Sequence, residues 1–154
     1  MIFDITNPDA PVGINRLSFP DIVTGIRIVG ERADEADSYS GMYIVDISSK
    51  AALKVLGKFD TAGQAKDVAV SGDLAFVADG SNGLVILNIK TPSAISSVSQ
   101  MPTMGDTQAV AYGNGIAYCA DGTGGLQVID VTTPATPKRR GGYGGNDVRA
   151  IALD

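Results

Sequence analysis

The chain has 154 residues, a net charge of −5, 44% hydrophobic and 19% charged residues, one cysteine and no histidine. That length and apolar content suffice for a sizeable core and are not those of a disordered chain. The acidic balance argues against nucleic acid, and the missing histidine excludes Ser/His/Asp, Cys/His and histidine-metal sites, while a lone Cys119 excludes an intrachain disulfide.

Taken in chain order, the predicted elements repeat. Ile2 to Pro8 reads as a strand and its proline-ended exit turn, followed by a more polar segment, so residues 1–21 are expected to supply half a four-stranded unit. Residues 22–63 carry the first full unit, 64–105 the second and 106–147 the third. The second is the clearest. Alternating apolar runs at Lys66–Val70 and Leu74–Ala78 flank the tight turn Ser71-Gly72-Asp73. Asp79 to Gly83 turns the chain again, Leu84–Ile89 is a third strand, Lys90 to Ser93 breaks it, and Ile95–Gln100 is a polar fourth. We label these positions A to D. Residues 148–154 align with a further strand A.

The step is 42 residues: Ala78-Asp79-Gly80 returns as Ala120-Asp121-Gly122, and Asp4, Asp46, Asn88 and Asp130 form a series at the same spacing. A period of this length with four strands per unit predicts propeller blades, each an antiparallel sheet packed on its neighbours. The expected fold is therefore all-β: about three blades, partial blades at each end and essentially no helix. It is expected to be an open arc that meets remaining blades, or self-associates, through its outer blade faces.

Strand C reads Met42-Tyr43-Ile44-Val45-Asp46, Leu84-Val85-Ile86-Leu87-Asn88 and Leu126-Gln127-Val128-Ile129-Asp130. Ahead of it stand Ala36-Asp37-Ser38, Ala78-Asp79-Gly80 and Ala120-Asp121-Gly122. These motifs resemble the LVIVD-repeat family across nearly the whole chain. The resemblance implies a β-propeller of bacterial or archaeal surface or secreted proteins, hence an extracellular or cell-surface location. The Gly-His and Trp-Asp marks of WD repeats are absent.

The functional expectation is a non-catalytic binding or scaffold module that presents loops on one face to a protein or glycan partner. No catalytic, cofactor or metal residue is assigned, and no segment approaches a membrane span. Asp37, Asp79 and Asp121 fall in the B–C turns and would form an arc on the loop face. Their competing role is to accept backbone N–H groups within their own turns. Tyr143 stands beside them as an exposed aromatic, in a glycine-rich Gly141–Asn146 stretch expected to be a D–A loop. The Asp4, Asp46, Asn88 and Asp130 series is expected to satisfy backbone groups after strand C. Lys138-Arg139-Arg140 reads as a solvated strand edge. The alternative function is a propeller enzyme, such as a lyase, lactonase or hydrolase, with its site in the central channel.

One departure stands out. Strand B of the first unit should occupy Arg32 to Ala36, yet Asp34 and Glu35 replace the apolar pairs Phe76–Val77 and Tyr118–Cys119. Unpaired carboxylates in a packed strand are costly. Either that strand is displaced and exposed, or the blade is degenerate and locally loose there; a functional acidic site is the third reading.

Overall fold

The computed structural model describes residues 1–145 and 147–153. Three four-stranded antiparallel sheets follow one another along the chain. The first blade comprises β3 (Gly25–Val29), β4 (Arg32–Ala36), β5 (Met42–Asp46) and β6 (Lys54–Phe59). The second holds β7 (Asp67–Ser71), β8 (Leu74–Ala78), β9 (Leu84–Asn88) and β10 (Ser96–Met101). The third holds β11 (Ala109–Gly113), β12 (Ile116–Ala120), β13 (Leu126–Asp130) and β14 (Lys138–Tyr143). Ahead of them, β1 (Ile2–Asp4) and β2 (Val12–Asn15) pair as strands C and D of a partial blade. Among the described residues the only helical turn is a 3-10 turn at Pro92–Ala94.

Each blade is a run of hairpins, so strand order follows chain order and β7 lies beside both β3 and β11. The faces between blades form the core. Ala36, Met42 and Ile44 of the first blade pack on Val68, Ala75, Val77, Val85, Leu87 and Ile89 of the second. Phe76, Ala78, Leu84 and Ile86 pack on Val110, Ala117, Cys119, Ile129 and Val131 of the third. Strands B and C of the middle blade are buried on both faces, which explains their near-continuous apolar runs.

Every C–D pairing slips by one residue at the same place. The extra residue is Ile14, Leu56, Val98 or Arg140, again 42 apart. Such a bulge bends strand D and re-aims one side chain; Leu56 and Val98 thereby pack against the two inter-blade clusters.

Three sequence expectations change. Strand B of the first blade is degenerate in sequence only: β4 pairs in unbroken register with β3 and β5. It is not displaced, and Asp34 is carried fully inside, because ladder hydrogen bonds belong to the backbone and the flanking Ala33, Ala36, Ile44 and Val45 still pack. Second, Gly141 to Tyr143 lie in β14, not in a loop, since the bulge extends strand D; Asn146 lies outside the described residues. Third, the expected strand at 148–154 is only a bridge between Val148 and Gly122. Asp154 lies outside the described residues. Lys138-Arg139-Arg140 is a solvated edge of an outermost strand, as expected, with the Arg140 guanidinium 2.6 Å from Asp130 Oδ2.

Candidate functional site: the loop face

Each B–C turn spans five residues, Asp37–Gly41, Asp79–Gly83 and Asp121–Gly125. The aspartate N–H donates to the carbonyl of the closing glycine at 2.8 Å in all three. The closing glycines sit at φ +79°, +80° and +79°, and a Cβ on Gly83 would run into the Met101 carbonyl oxygen. Only glycine fits there.

The aspartate carboxylates are fully buried. They do not serve mainly their own turns. Asp79 Oδ1 accepts the Thr61 hydroxyl at 2.6 Å, and Oδ2 accepts the Gly63 N–H at 2.9 Å and the Asn82 side-chain amide at 3.1 Å. Asp121 Oδ2 accepts the Met104 and Gly105 N–H groups at 2.9 and 2.8 Å, and Oδ1 accepts the Thr107 hydroxyl at 2.9 Å. Thr61, Gly63 and Met104 to Thr107 belong to the D–A loop that enters the same blade. The carboxylates therefore pin the incoming loop to the B–C turn, with charge-assisted bonds. The expectation of an in-turn bond is corrected to this longer-range one. The second residue of each turn then bridges forward: the Ser38, Gly80 and Gly122 carbonyls accept the Ala65, Thr107 and Val148 N–H groups at 2.9, 2.9 and 3.0 Å. The loop face is one hydrogen-bonded layer.

The first blade lacks this pinning. Phe19 and Val23 stand where Thr61 and Ala65, or Thr103 and Thr107, stand later. Asp37 Oδ2 has only a long contact from the Asp21 N–H at 3.4 Å, and Oδ1 is buried without a partner. Burial pushes the Asp37 carboxyl above the ordinary range. Phe19 instead packs edge-on against Tyr43, with ring centroids 5.1 Å apart.

What reaches solvent is a different set. Tyr143 is 68% exposed at the end of β14, and Tyr39, in the first B–C turn, is 71% exposed. Tyr39 borders a crevice of about 330 Å³ with Gln64, Ser81 and Asp106. One blade on, a crevice of about 360 Å³ is bordered by Lys66, Asp106, Gln108 and Thr123, with Asp147 and Arg149 beyond. Asp106 joins the two, taking the Lys66 ammonium at 2.7 Å and the Gln108 amide at 2.8 Å. Sequence reasoning missed Tyr39, Gln64 and Asp106. The usable signal was variability inside a repeating frame, since Tyr39, Ser81 and Thr123 are equivalent positions of unlike chemistry.

Strands A line a central groove of about 330 Å³ whose charged members are Arg27 and Asp67. Both Asp67 oxygens are committed, accepting the Val68 N–H at 2.9 Å and the Val110 N–H at 3.0 Å. Cys119 is buried between blades and burial pushes its thiol up to about 12, so it is held as an unreactive thiol. After strand C, Asp4, Asp46, Asn88 and Asp130 each accept the N–H two residues on, at 2.9 to 3.0 Å, as the sequence pattern implied. No cluster of three or more His, Cys, Asp or Glu suited to a metal ion occurs among the described residues.

A fold of successive four-stranded blades joined through a shared loop layer defines a β-propeller repeat protein. The LVIVD repeat model matches residues 26–61, 62–103 and 104–144, and the chain belongs to that family. No curated protein matches it. Among solved structures it is similar to the computationally designed Ika4 protein, with a TM-score of 0.69 at 13% identity over 89% of this chain and 82% of that one. It is also similar to the designed Ika8 protein, with a TM-score of 0.68 at 12% identity over 86% of this chain and 39% of that one. The N-terminal domain of Nup159 gives 0.51 at 12% identity, covering 85% of this chain and 34% of that one. The chain thus spans well under half of the last two, and at these identities the likeness shows fold alone.

Proposed function

We propose that this chain is a non-catalytic binding or scaffold module of a surface or secreted protein, which engages a protein or glycan partner through its loop face. The observation that carries the reading is a division of labour. Asp79 and Asp121 are spent inside the layer, fixing loop geometry. Tyr39, Gln64, Ser81 and Asp106 stand at the surface around adjoining crevices, free to differ between repeats. Crevices of this volume lie at the lower end of the ~300–1,000 Å³ range of small-ligand sites. Tyr143 extends the same rim. The outer blade faces would receive further blades or a second copy.

The test is binding to immobilised glycans and proteins by wild type, Tyr39→Ala, Asp106→Ala and the opposite-face control Lys90→Ala. Loss confined to the two loop-face variants is expected. Loss in the control alone, or in none of the three, would remove the loop face from the account.

A further inference from the structure

The first blade meets the β1–β2 sheet across a cavity of about 150 Å³. Ile2, Leu17, Phe19, Ile28 and Leu53 are among its apolar walls, and Glu35 is the one ionisable side chain that lines it. Glu35 Oε2 is buried and has no hydrogen-bond partner. The equivalent positions in the next two blades are Val77 and Cys119, both sealed against a neighbouring blade. The first blade alone therefore presents an unpaired carboxylate oxygen to an apolar chamber.

No cation of the described chain satisfies it. The ion pairs formed are Arg32–Asp34, Lys66–Asp106, Arg140–Asp130 and Arg149–Asp147. The Met1 ammonium is near enough to favour the charged carboxylate, but burial outweighs it and Asp37 opposes it. A half-buried carboxylate with one buried, unserved oxygen is stabilised by a cation that also donates hydrogen bonds, and the surrounding wall asks for an alkyl body.

We propose that this cavity binds a small aliphatic amine as its ammonium ion, with the N–H donated to Glu35 Oε2 and the alkyl chain against Leu17, Ile28 and Leu53. If Glu35 holds a proton when a neutral amine arrives, that proton passes from the carboxyl oxygen to the amine nitrogen and the same pair results. At roughly 30 Å³ per water-sized group the space admits about five non-hydrogen atoms, the size of n-butylammonium. The site lies between blades, away from the loop face, and stands or falls independently of the function proposed above.

The experiment is methyl NMR on the full chain, titrated with n-butylammonium chloride and, in parallel, with 1-butanol, which has the same number of heavy atoms and no charge. The expected result is saturable shifts of the Ile2, Leu17, Ile28 and Leu53 methyls, with the ammonium binding about tenfold more tightly than the alcohol. Glu35→Gln should erase that preference, while Asp34→Asn, on the other face of β4, should keep it. Equal binding of the two probes by wild type, no saturable shift, or a preference that survives Glu35→Gln would overturn the proposal. The two-probe comparison on wild type decides even if Glu35→Gln fails to fold.

Discussion

The first and second blades share a backbone and differ in what they enclose. Strands A to D pair in matching registers, with the same bulge and the same closing glycine at positive φ. Yet the second blade encloses Phe76, Val77 and a carboxylate with three donors, whereas the first holds a buried Asp34, a half-buried Glu35 and a carboxylate with one long contact. Asp34 Oδ1, Glu35 Oε2 and Asp37 Oδ1 are all buried and unpartnered. The lesson is that the turns, bulges and ladders specify the blade, and the core contents set how strongly it holds.

The sharpest way to break that comparison is at the closing glycines. Gly83→Ala would drive a Cβ into the Met101 carbonyl and hold alanine at φ +80°, with an expected loss of about 4 kcal/mol in denaturant unfolding. Gly41→Ala meets the Phe59 carbonyl in the same way and should cost as much. A cheap Gly41→Ala would show that the first blade does not share the turn.

The next contrast is between aspartates. Asp79→Ala strands the Thr61 hydroxyl and the Gly63 N–H and should cost about 3 kcal/mol. Asp37→Ala removes a poorly served carboxylate, so its cost should stay below about 1 kcal/mol by the same measurement. Equal losses would mean that the first blade is pinned after all.

These contrasts separate what the sequence made legible from what it did not. The 42-residue step placed the strands, and the Asp4, Asp46, Asn88 and Asp130 turns were readable because donor and acceptor are two residues apart. The carboxylates of Asp79 and Asp121 were not, because their donors lie 14 to 18 residues upstream in another loop. Local turn chemistry cannot point that far, although Thr61 and Thr103 recur at the repeat step. The acidity of β4 misled in the opposite direction. Side-chain cost was set against strand formation, but the ladder and the apolar neighbours on both sides outweigh two carboxyls that can take up protons.

That last point gives a pH prediction. Burial raises the Asp34, Glu35 and Asp37 carboxyls above their ordinary values of 3.8, 4.5 and 3.8, with Arg32 opposing this at Asp34. A raised acid binds its proton more tightly when folded. Its stabilising contribution is complete below the unfolded value and is lost as pH rises through the folded one. Asp67 of the second blade acts in the same direction. Asp4 and Asp46, lowered chiefly by hydrogen bonds from Thr6 and Ser48, act oppositely as pH falls below 3.8, but at exposed positions. The denaturation midpoint should therefore fall as pH rises from about 4 to about 7. Asp34→Leu should raise stability at neutral pH by about 1–2 kcal/mol and flatten that slope. A midpoint that climbs over the same range would contradict the first blade's acidic interior.

The smallest expected effect is at Ser38, a non-glycine residue at φ +47° where the later blades carry Gly80 and Gly122. Ser38→Gly relieves that conformation but forfeits the 3.1 Å bond from the Gln64 amide, for a net gain of about 0.5 kcal/mol. A loss there would show that the Gln64 contact outweighs the backbone.

The D–A loop glycines carry a consequence for how such chains change in copy number. Gly63 and Gly105 stand one repeat apart, and each gives its N–H to the aspartate of the blade it enters, Asp79 or Asp121. Recombination that joined Gly63 directly to Asp106 would delete residues 64–105 and set the Gly63 N–H before Asp121, while the first blade's Met42 and Ile44 met Val110, Ala117 and Ile129. Whole-unit loss or gain therefore leaves each hydrogen-bonded staple with a counterpart. A deletion of another length that crosses one of these loops would misplace the staple it crosses.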